Sequence, residues 1–394
     1  MQFQGGLGMD YQFSKTHKLL QQMLRQFAEK ELKPVAKELD EQRRFPYETI
    51  EKFFDHGFMN FFIPSEDGGS GGDTLGYAMT MEEFARIDTP MAGILSGHNE
   101  AAIKIIMEKG TEEQKLKYLP QLTGNTARRM GGFSLTEPTA GSDSNGVQTR
   151  AVLEGDHYVL NGTKCFVTNG GVAEIFILFA VTDPNVKPSR GKSAFILDKN
   201  FPGVTVGKKE NMMGFGASSI CELILDNAII PKENLIGKEG EGMKVAMGNL
   251  EGGRVMVGAE GVGCAQGMLD ETKKFINSTR LNGKLLAGYQ HIQFKFAEMQ
   301  TQVDAARLLV HKAATMLDAG LPCNLEASQA KYFGTKTAND IAKDCVQMLG
   351  QFGYTNKYNV ERFMRDAKLT EIYEGTNEIQ KMIQARAMGL NTRG

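Results

Sequence analysis

The period of the apolar residues changes twice along the chain, and this constrains the fold more than any other feature. From Lys18 to Leu39, apolar side chains fall at Leu20, Met23, Leu24, Phe27, Leu32 and Val35, the spacing of one helix face. Helical segments are also expected at 75–87, 102–108 and 112–118, with Gly-rich punctuation over 68–73. Near Arg129 the pattern shortens. Between 131 and 237 the runs are short, β-branched and broken by Gly, Pro and Asn, which reads as strands. HYVL and TKCFV flank Asn161-Gly162, a dipeptide that tolerates positive φ and so predicts a tight hairpin there. EIFILFAVT, SAFIL and CELILDNAII read as further strands. From Gly242 the helical period returns in segments 243–276, 290–318 and 324–349, lengths that suit a four-helix bundle. The expected architecture is α+β in several layers: an N-terminal α-helical domain over 1–130, a middle β-sheet, barrel-like domain over 131–241, and a C-terminal four-helix bundle over 242–394.

Bulk properties exclude several function classes. The 394 residues are 41% apolar and 23% charged, with a net charge of −2. There is no basic stripe to follow a phosphate backbone, so no nucleic-acid partner is expected. No run of about 18 apolar residues is present, so no membrane span is expected. The five cysteines, Cys165, Cys221, Cys264, Cys323 and Cys345, form no CxxC and no Cys–His pair at ligand spacing. They read as buried, reduced thiols, with no metal site. The opening MQFQGGLGMDYQFSK has neither an apolar h-region nor an Arg-rich amphipathic pattern. A cytoplasmic protein without signal or transit peptide is therefore expected, with Met9-Asp10 an alternative start and 1–8 a flexible extension.

Four motifs have functional readings beside structural ones. GGFSLTEPTAGSD (131–143) is a strand followed by a loop of small and hydroxyl residues. Such a loop lets backbone N–H groups approach a ligand, or is an ordinary polar turn. KCFVTNGG (164–171) places Phe166 and Thr168 on one face by strand alternation, where Phe166 stacks on a flat ring or packs in the core. In LEGGRVMVGAEGVG (250–263), Arg254 either pairs with Glu251 on a solvated helix face or is a buried group that fixes a ligand. In IYEGTNEIQ (372–380), Glu374 precedes a helix that Thr376 is placed to cap. It is either an exposed flanking acid or a functional carboxylate beside the free N–H groups of a helix start.

Together and in this order, TEPTAGSD, FVTNGG, the Gly-x-Arg helix, QMLGQFGY, RFMRDAK and IYEGTNEIQ resemble the successive signatures of the acyl-CoA dehydrogenases, from about Asp10 to Leu390. The resemblance implies non-covalent FAD and oxidation of an acyl-CoA to its trans-2-enoyl-CoA. It also implies electrons passing to electron-transferring flavoprotein, and a homotetramer built as a dimer of dimers. By similarity, Phe133, Leu135, Thr136, Gly141 and Ser142 line the flavin, Ser142 also reaches the thioester arm, and Phe166 and Thr168 cover the ring. Arg280, Gln290, Gln347 and Gly350 match contacts to FAD, the last three to that of a neighbouring subunit. Thr376 and Glu378 match its ADP portion. Glu251, Arg254 and Gly375 match substrate-side positions. Glu374 matches the base that removes the α-proton. A second branch carries that base at the position of Gly253, which is empty here. The sequence departs from the family at Arg280 and Asn282, where an aromatic is usual, and at Gln351, where a second glycine is usual. The helix bearing His98 and Glu100 matches the floor of the acyl chamber, so these two either meet a polar, cyclic or aromatic acyl group or are a solvated or internally paired His and Glu, since one helix carries both inward and outward faces. Alternatives on the same fold are an acyl-CoA oxidase, a flavin monooxygenase and an enoyl-CoA reductase. An alternative of another class is a cofactor-free helical scaffold.

Overall fold

The computed structural model describes residues 13–391; the alternative start at Met9-Asp10 and the expected extension 1–8 lie outside the described residues. The first helical run is nearly continuous: Lys15–Phe27 (α1), a π-helical turn at Ala28–Leu32, then Lys33–Gln42 (α2). Pro34 stands in the first turn of α2 and has no N–H for an α-helical bond, and the wider turn before it absorbs the mismatch. Tyr47–Asp55 (α3) was not foreseen from periodicity, although Ile50, Phe53 and Phe54 form its buried face. Thr74–Ala85 (α4) is buried along its whole length. Thr89–His98 (α5) runs through a second π-helical turn, Asn99–Ile103, into Lys104–Lys109 (α6), and Glu112–Leu122 (α7) follows behind a capping box at Thr111.

The strands are Gly131–Ser134 (β1), Arg150–Glu154 (β2), His157–Val167 (β3), Ile175–Val181 (β4), Lys192–Asp198 (β5), Val204–Lys209 (β6), Cys221–Pro231 (β7) and Leu235–Ile236 (β8). They form one mixed sheet in the order β6-β7-β3-β2-β4-β5-β8, with β1 parallel to β4. β4 and β5 are buried along most of their length, which explains their unbroken apolar runs.

One expectation is corrected here. Asn161-Gly162 is not a hairpin turn but lies inside the single strand β3. The hairpin to β2 closes at Gly155-Asp156, where Glu154 faces His157. Opposite β7 the register slips between Leu160 and Gly162, which marks a bulge. A Cβ on Gly162 would lie 2.4 Å from Oγ1 of Thr149, so the glycine serves close approach rather than a reversal.

Gly242–Ser278 (α8), Gln290–Asp318 (α9) and Asn324–Leu349 (α10) form the bundle with Val360–Thr370 (α11) and Asn377–Ala387 (α12). Between α8 and α9 a two-residue turn joins Arg280–Leu281 (β9) to Lys284–Leu285 (β10). Its tip is Asn282-Gly283, both at positive φ. That requirement accounts for Asn282. α4 leans on the bundle through Arg307 Nε, 2.7 Å from Oε1 of the buried Glu82. All five cysteines are free and buried. Among the described residues no helix is long and apolar enough to cross a membrane.

Candidate active site

Glu374 lies in the loop between α11 and α12 at φ 53°, an uncommon conformation for a side-chain-bearing residue. Two neighbours hold it there. Gln380 donates Nε2 to the carbonyl of Gly375 at 2.8 Å and of Glu374 at 3.3 Å. Thr376 caps α12 by accepting from the Ile379 N–H, as its position predicts. The loop leaves Oε2 of Glu374 buried and without a hydrogen-bond partner. A Cβ on Gly253 of α8 would lie 3.1 Å from this oxygen. Positions 253 and 374 therefore open onto the same small volume, although 121 residues separate them in sequence.

The electrostatics suit a base. Desolvation, aided by the charge of Glu100, pushes the Glu374 carboxyl up to about 7, against the opposing pull of Arg254 and Lys331. Burial is the larger cause because a carboxylate has most to lose from leaving water. Arg254 is buried and donates Nη1 to Oδ1 of Asn324 at 2.7 Å. It does not lie on a solvated face, and its guanidinium is left close enough to bias Glu374. Lys331 is fully buried, donates Nζ to Oδ1 of Asn377 at 3.1 Å, and has its ammonium lowered to about 7, again chiefly by burial. Behind the loop, Tyr373 donates its hydroxyl to Glu260, whose carboxyl burial raises to about 8. Sequence reasoning missed Glu260 and Lys331. The signal was a charged residue inside each otherwise small and apolar run, VMVGAEGVGCA and ASQAKYFG.

The residues expected to face a flavin come together on β1 and β3. The N–H of Cys165 donates to the Thr136 carbonyl at 2.9 Å, which sets Leu135 and Thr136 beside Phe166. An ion pair fixes that junction. Nζ of Lys164 lies 2.7 Å from Oε1 of Glu137 and 3.2 Å from the Leu135 carbonyl. Glu137 also accepts from the N–H groups of Gln148 and Thr149 at 2.6 and 3.0 Å. Phe133, Leu135 and Thr136 are half-buried, and Gly141 and Ser142 are exposed on the loop. Phe166 sits at φ 53° with 58% of its surface exposed. This breaks the alternation expected for 166 and 168: the strand ends at Val167, and Thr168 turns its methyl towards α5, 2.9 Å from where a Cβ on Gly97 would lie. A bare aromatic face beside half-buried apolar and hydroxyl side chains fits a flat heteroaromatic ring.

Of the two readings of His98, the structure shows the internally paired one, a core residue, and not the acyl contact. It is fully buried, its Nε2 lies 3.1 Å from the carbonyls of both Met59 and Leu122, and its Nδ1 accepts from the Gly131 N–H at 2.9 Å. Both ring nitrogens are occupied, and burial lowers its pKa to about 4, which keeps the ring neutral. Glu100, two residues on, does lie near Glu374. Glu251 is half-buried beside Gly252. Arg280, Gln290, Gln347 and Gly350 are exposed at one end of the bundle, where Lys295 of α9 pairs with Asp344 of α10 at 2.8 Å. Arg280 donates Nη1 to the Gly283 carbonyl at 2.8 Å, and Glu378 is exposed on the first turn of α12.

Comparison with known proteins covers the same three zones. Family profiles for the N-terminal, middle and C-terminal domains of acyl-CoA dehydrogenases match residues 14–126, 132–228 and 240–389. The short-chain-specific acyl-CoA dehydrogenase of Clostridium acetobutylicum is 45% identical over 95% of this chain and 98% of its own. An NADH-dependent acryloyl-CoA reductase of Anaerotignum propionicum is 43% identical over 96% of this chain and 95% of its own. Among solved structures, the butyryl-CoA dehydrogenase of Megasphaera elsdenii superposes with a TM-score of 0.93 at 40% identity, over 96% of this chain and all of that one. A chain from a study of the electron-transferring flavoprotein of Acidaminococcus fermentans superposes at 0.94 with 41% identity, over 98% and 100%. Matching all three domains in order over nearly its whole length, the chain belongs to the acyl-CoA dehydrogenase family.

Proposed function

We propose that the protein dehydrogenates an acyl-CoA thioester between its α and β carbons, with Glu374 as the base. The carrying observation is the unpartnered, buried Oε2 of Glu374 facing the empty side of Gly253. A desolvated carboxylate with a raised pKa is the stronger base that a weakly acidic α-proton requires. The N–H of Glu374 would donate to the thioester carbonyl and so stabilise the enolate that develops. The family's cofactor is FAD, which when bound accepts the β-hydrogen as hydride. Phe133, Leu135, Thr136, Gly141, Ser142, Phe166 and Thr168 would hold the flavin, with Thr376 and Glu378 towards its ADP portion. Ser142, Glu251, Arg254 and Gly375 would hold the substrate. The test is anaerobic addition of acyl-CoA thioesters to the yellow holoenzyme: the right substrate bleaches it. A colourless protein that cannot be reconstituted with FAD would favour the cofactor-free scaffold.

Electron-transferring flavoprotein is the partner this reading assigns, in line with the A. fermentans likeness. The exposed residues at the bundle end, together with the exposed Phe294 and Leu308 on α9, support assembly with further copies, and a homotetramer is the form proposed. The division proposed at 130 and 241 draws support from the family matches over 14–126, 132–228 and 240–389. The acryloyl-CoA reductase likeness supports a second reading in which the same groups run towards the saturated acyl-CoA. A carboxyl with a pKa of about 7 populates both the base and the acid form near neutrality. Consumption of acyl-CoA with the oxidised partner, or of enoyl-CoA with the reduced partner, decides the direction.

Two predictions arise directly. Because the ionised form is the active base, kcat/KM for acyl-CoA oxidation rises with pH through about 7 and levels off above it. A profile that is flat across that range contradicts the assignment. Because positions 253 and 374 open onto one volume, Gly253→Glu added to Glu374→Gly is expected to recover activity at least about tenfold over Glu374→Gly alone. Equal bleaching rates for the two variants would show that the volumes are not shared.

A further inference from the structure

The neighbouring step of α8 faces a second carboxyl. A Cβ on Gly252 would lie 3.0 Å from Oε2 of Glu100 and 2.9 Å from Nζ of Lys104. Glu100 sits in the π-helical turn Asn99–Ile103 and is 2% exposed. Lys104 is one turn on, with Nζ 3.3 Å from both oxygens of Glu100 and 5.1 Å from the centre of the Phe62 ring. These are the hydrogen bonds described for either side chain. A carboxylate offers about four acceptor sites and an ammonium three donors, and charge-assisted bonds usually close to about 2.7–2.9 Å. The pair is therefore buried, loosely closed and incompletely satisfied, which is a costly arrangement for an ion pair. Two consecutive glycines bring the Glu374 carboxyl and this pair against neighbouring positions of α8, with no side chain of the helix between them.

We propose that Glu100 and Lys104 form the polar end of the acyl chamber and select acyl groups that carry a neutral hydroxyl or carbonyl there. The inference rests on the reading of Glu374 as the base. A hydroxyl donates to Glu100 and accepts from Lys104, adding a hydrogen bond to each. An alkyl end of the same length covers the pair without replacing its missing hydrogen bonds. A terminal carboxylate meets a pair whose net charge is zero and is repelled by Glu100, so a diacid is not the favoured class. Discrimination of this kind is strong because rejecting the apolar analogue leaves buried polar groups unpaired.

The test is kcat/KM on the holoenzyme for straight-chain acyl-CoAs of four to about ten carbons, each with its ω-hydroxy counterpart. At one length the hydroxylated chain should exceed its alkyl partner by at least about tenfold. The double variant Glu100→Leu/Lys104→Met removes both charges together and leaves none unpaired; in it the ratio should fall to about one or invert. A ratio that persists in the double variant overturns the assignment. So does the lack of any length at which wild type prefers the hydroxylated chain, a result that holds even if the variant is not recovered folded. If no thioester of either series bleaches the yellow wild-type enzyme, the dehydrogenation reading itself fails. Bleaching by both series without preference sinks only the polar chamber.

Discussion

The Glu374→Gln protein is expected to purify yellow and to resist bleaching by every acyl-CoA that bleaches the wild type, with turnover reduced by about 10²- to 10⁴-fold. Glutamine has the shape of the carboxyl but cannot accept the α-proton. The residues of β1 and β3 proposed to hold the flavin are untouched by the change, since their junction is fixed by Glu137 and Lys164 rather than by the loop of Glu374. The loop itself should keep its form, because Gln380 holds it through the carbonyls of Glu374 and Gly375 and not through the side chain. Two measurements check this: the visible flavin spectrum for cofactor content and stopped-flow bleaching for the chemical step. Substantial turnover with full flavin content would remove Glu374 from the mechanism.

The second large effect is expected at Lys164→Met. Lys164 is fully buried and Glu137 is 5% exposed. Burial lowers the Lys164 ammonium to about 8 against the pull of Glu137. For Glu137 burial acts upward, but Lys164 and the N–H groups beside it prevail and keep the carboxyl below its usual range. Removing the lysine leaves Glu137 with its backbone donors but no counter-charge in the interior. Breaking a buried pair from one side costs about 3–5 kcal/mol. The cost falls on the segment carrying Leu135, Thr136 and, across the backbone link at Cys165, Phe166. Flavin content should therefore drop together with the melting temperature. The ratio of flavin to protein absorbance and a thermal melt check both. Unchanged values for each would mean that the pair neither stabilises the fold nor shapes the flavin loop.

Long periodic elements were legible nearly to the residue. The expected helices at 243–276, 290–318 and 324–349 became Gly242–Ser278, Gln290–Asp318 and Asn324–Leu349, because many turns of one face average out local exceptions. Short signals were less reliable. Asn161-Gly162 and Asn282-Gly283 are the same dipeptide; the first sits in a bulge of β3 and the second in a true turn. What separates them is the partner strand, since β7 continues opposite the first and no strand constrains the second. His98 and Glu100 were likewise equivalent on paper. The helix places one ring among three backbone groups and the other side chain where its charge acts on Glu374, and a helical period cannot say which face meets which neighbour.

The order of motifs along one chain determined the family, the apolar periodicity determined the α–β–α plan, and the residue types at 253 and 374 favoured Glu374 as the proposed base, since each of these depends on the residues alone. Only the tertiary structure decided that Glu374 is an unpaired, desolvated carboxylate. It also decided that Gly253 borders the same space, and that Glu100, Lys331, Arg254 and Glu260 surround it. A carboxyl's basicity depends on burial and on charges a few ångströms away. Those distances are set by the packing of the π-helical turn Asn99–Ile103, α8, α10 and the α11–α12 loop, from residues up to 274 positions apart in sequence.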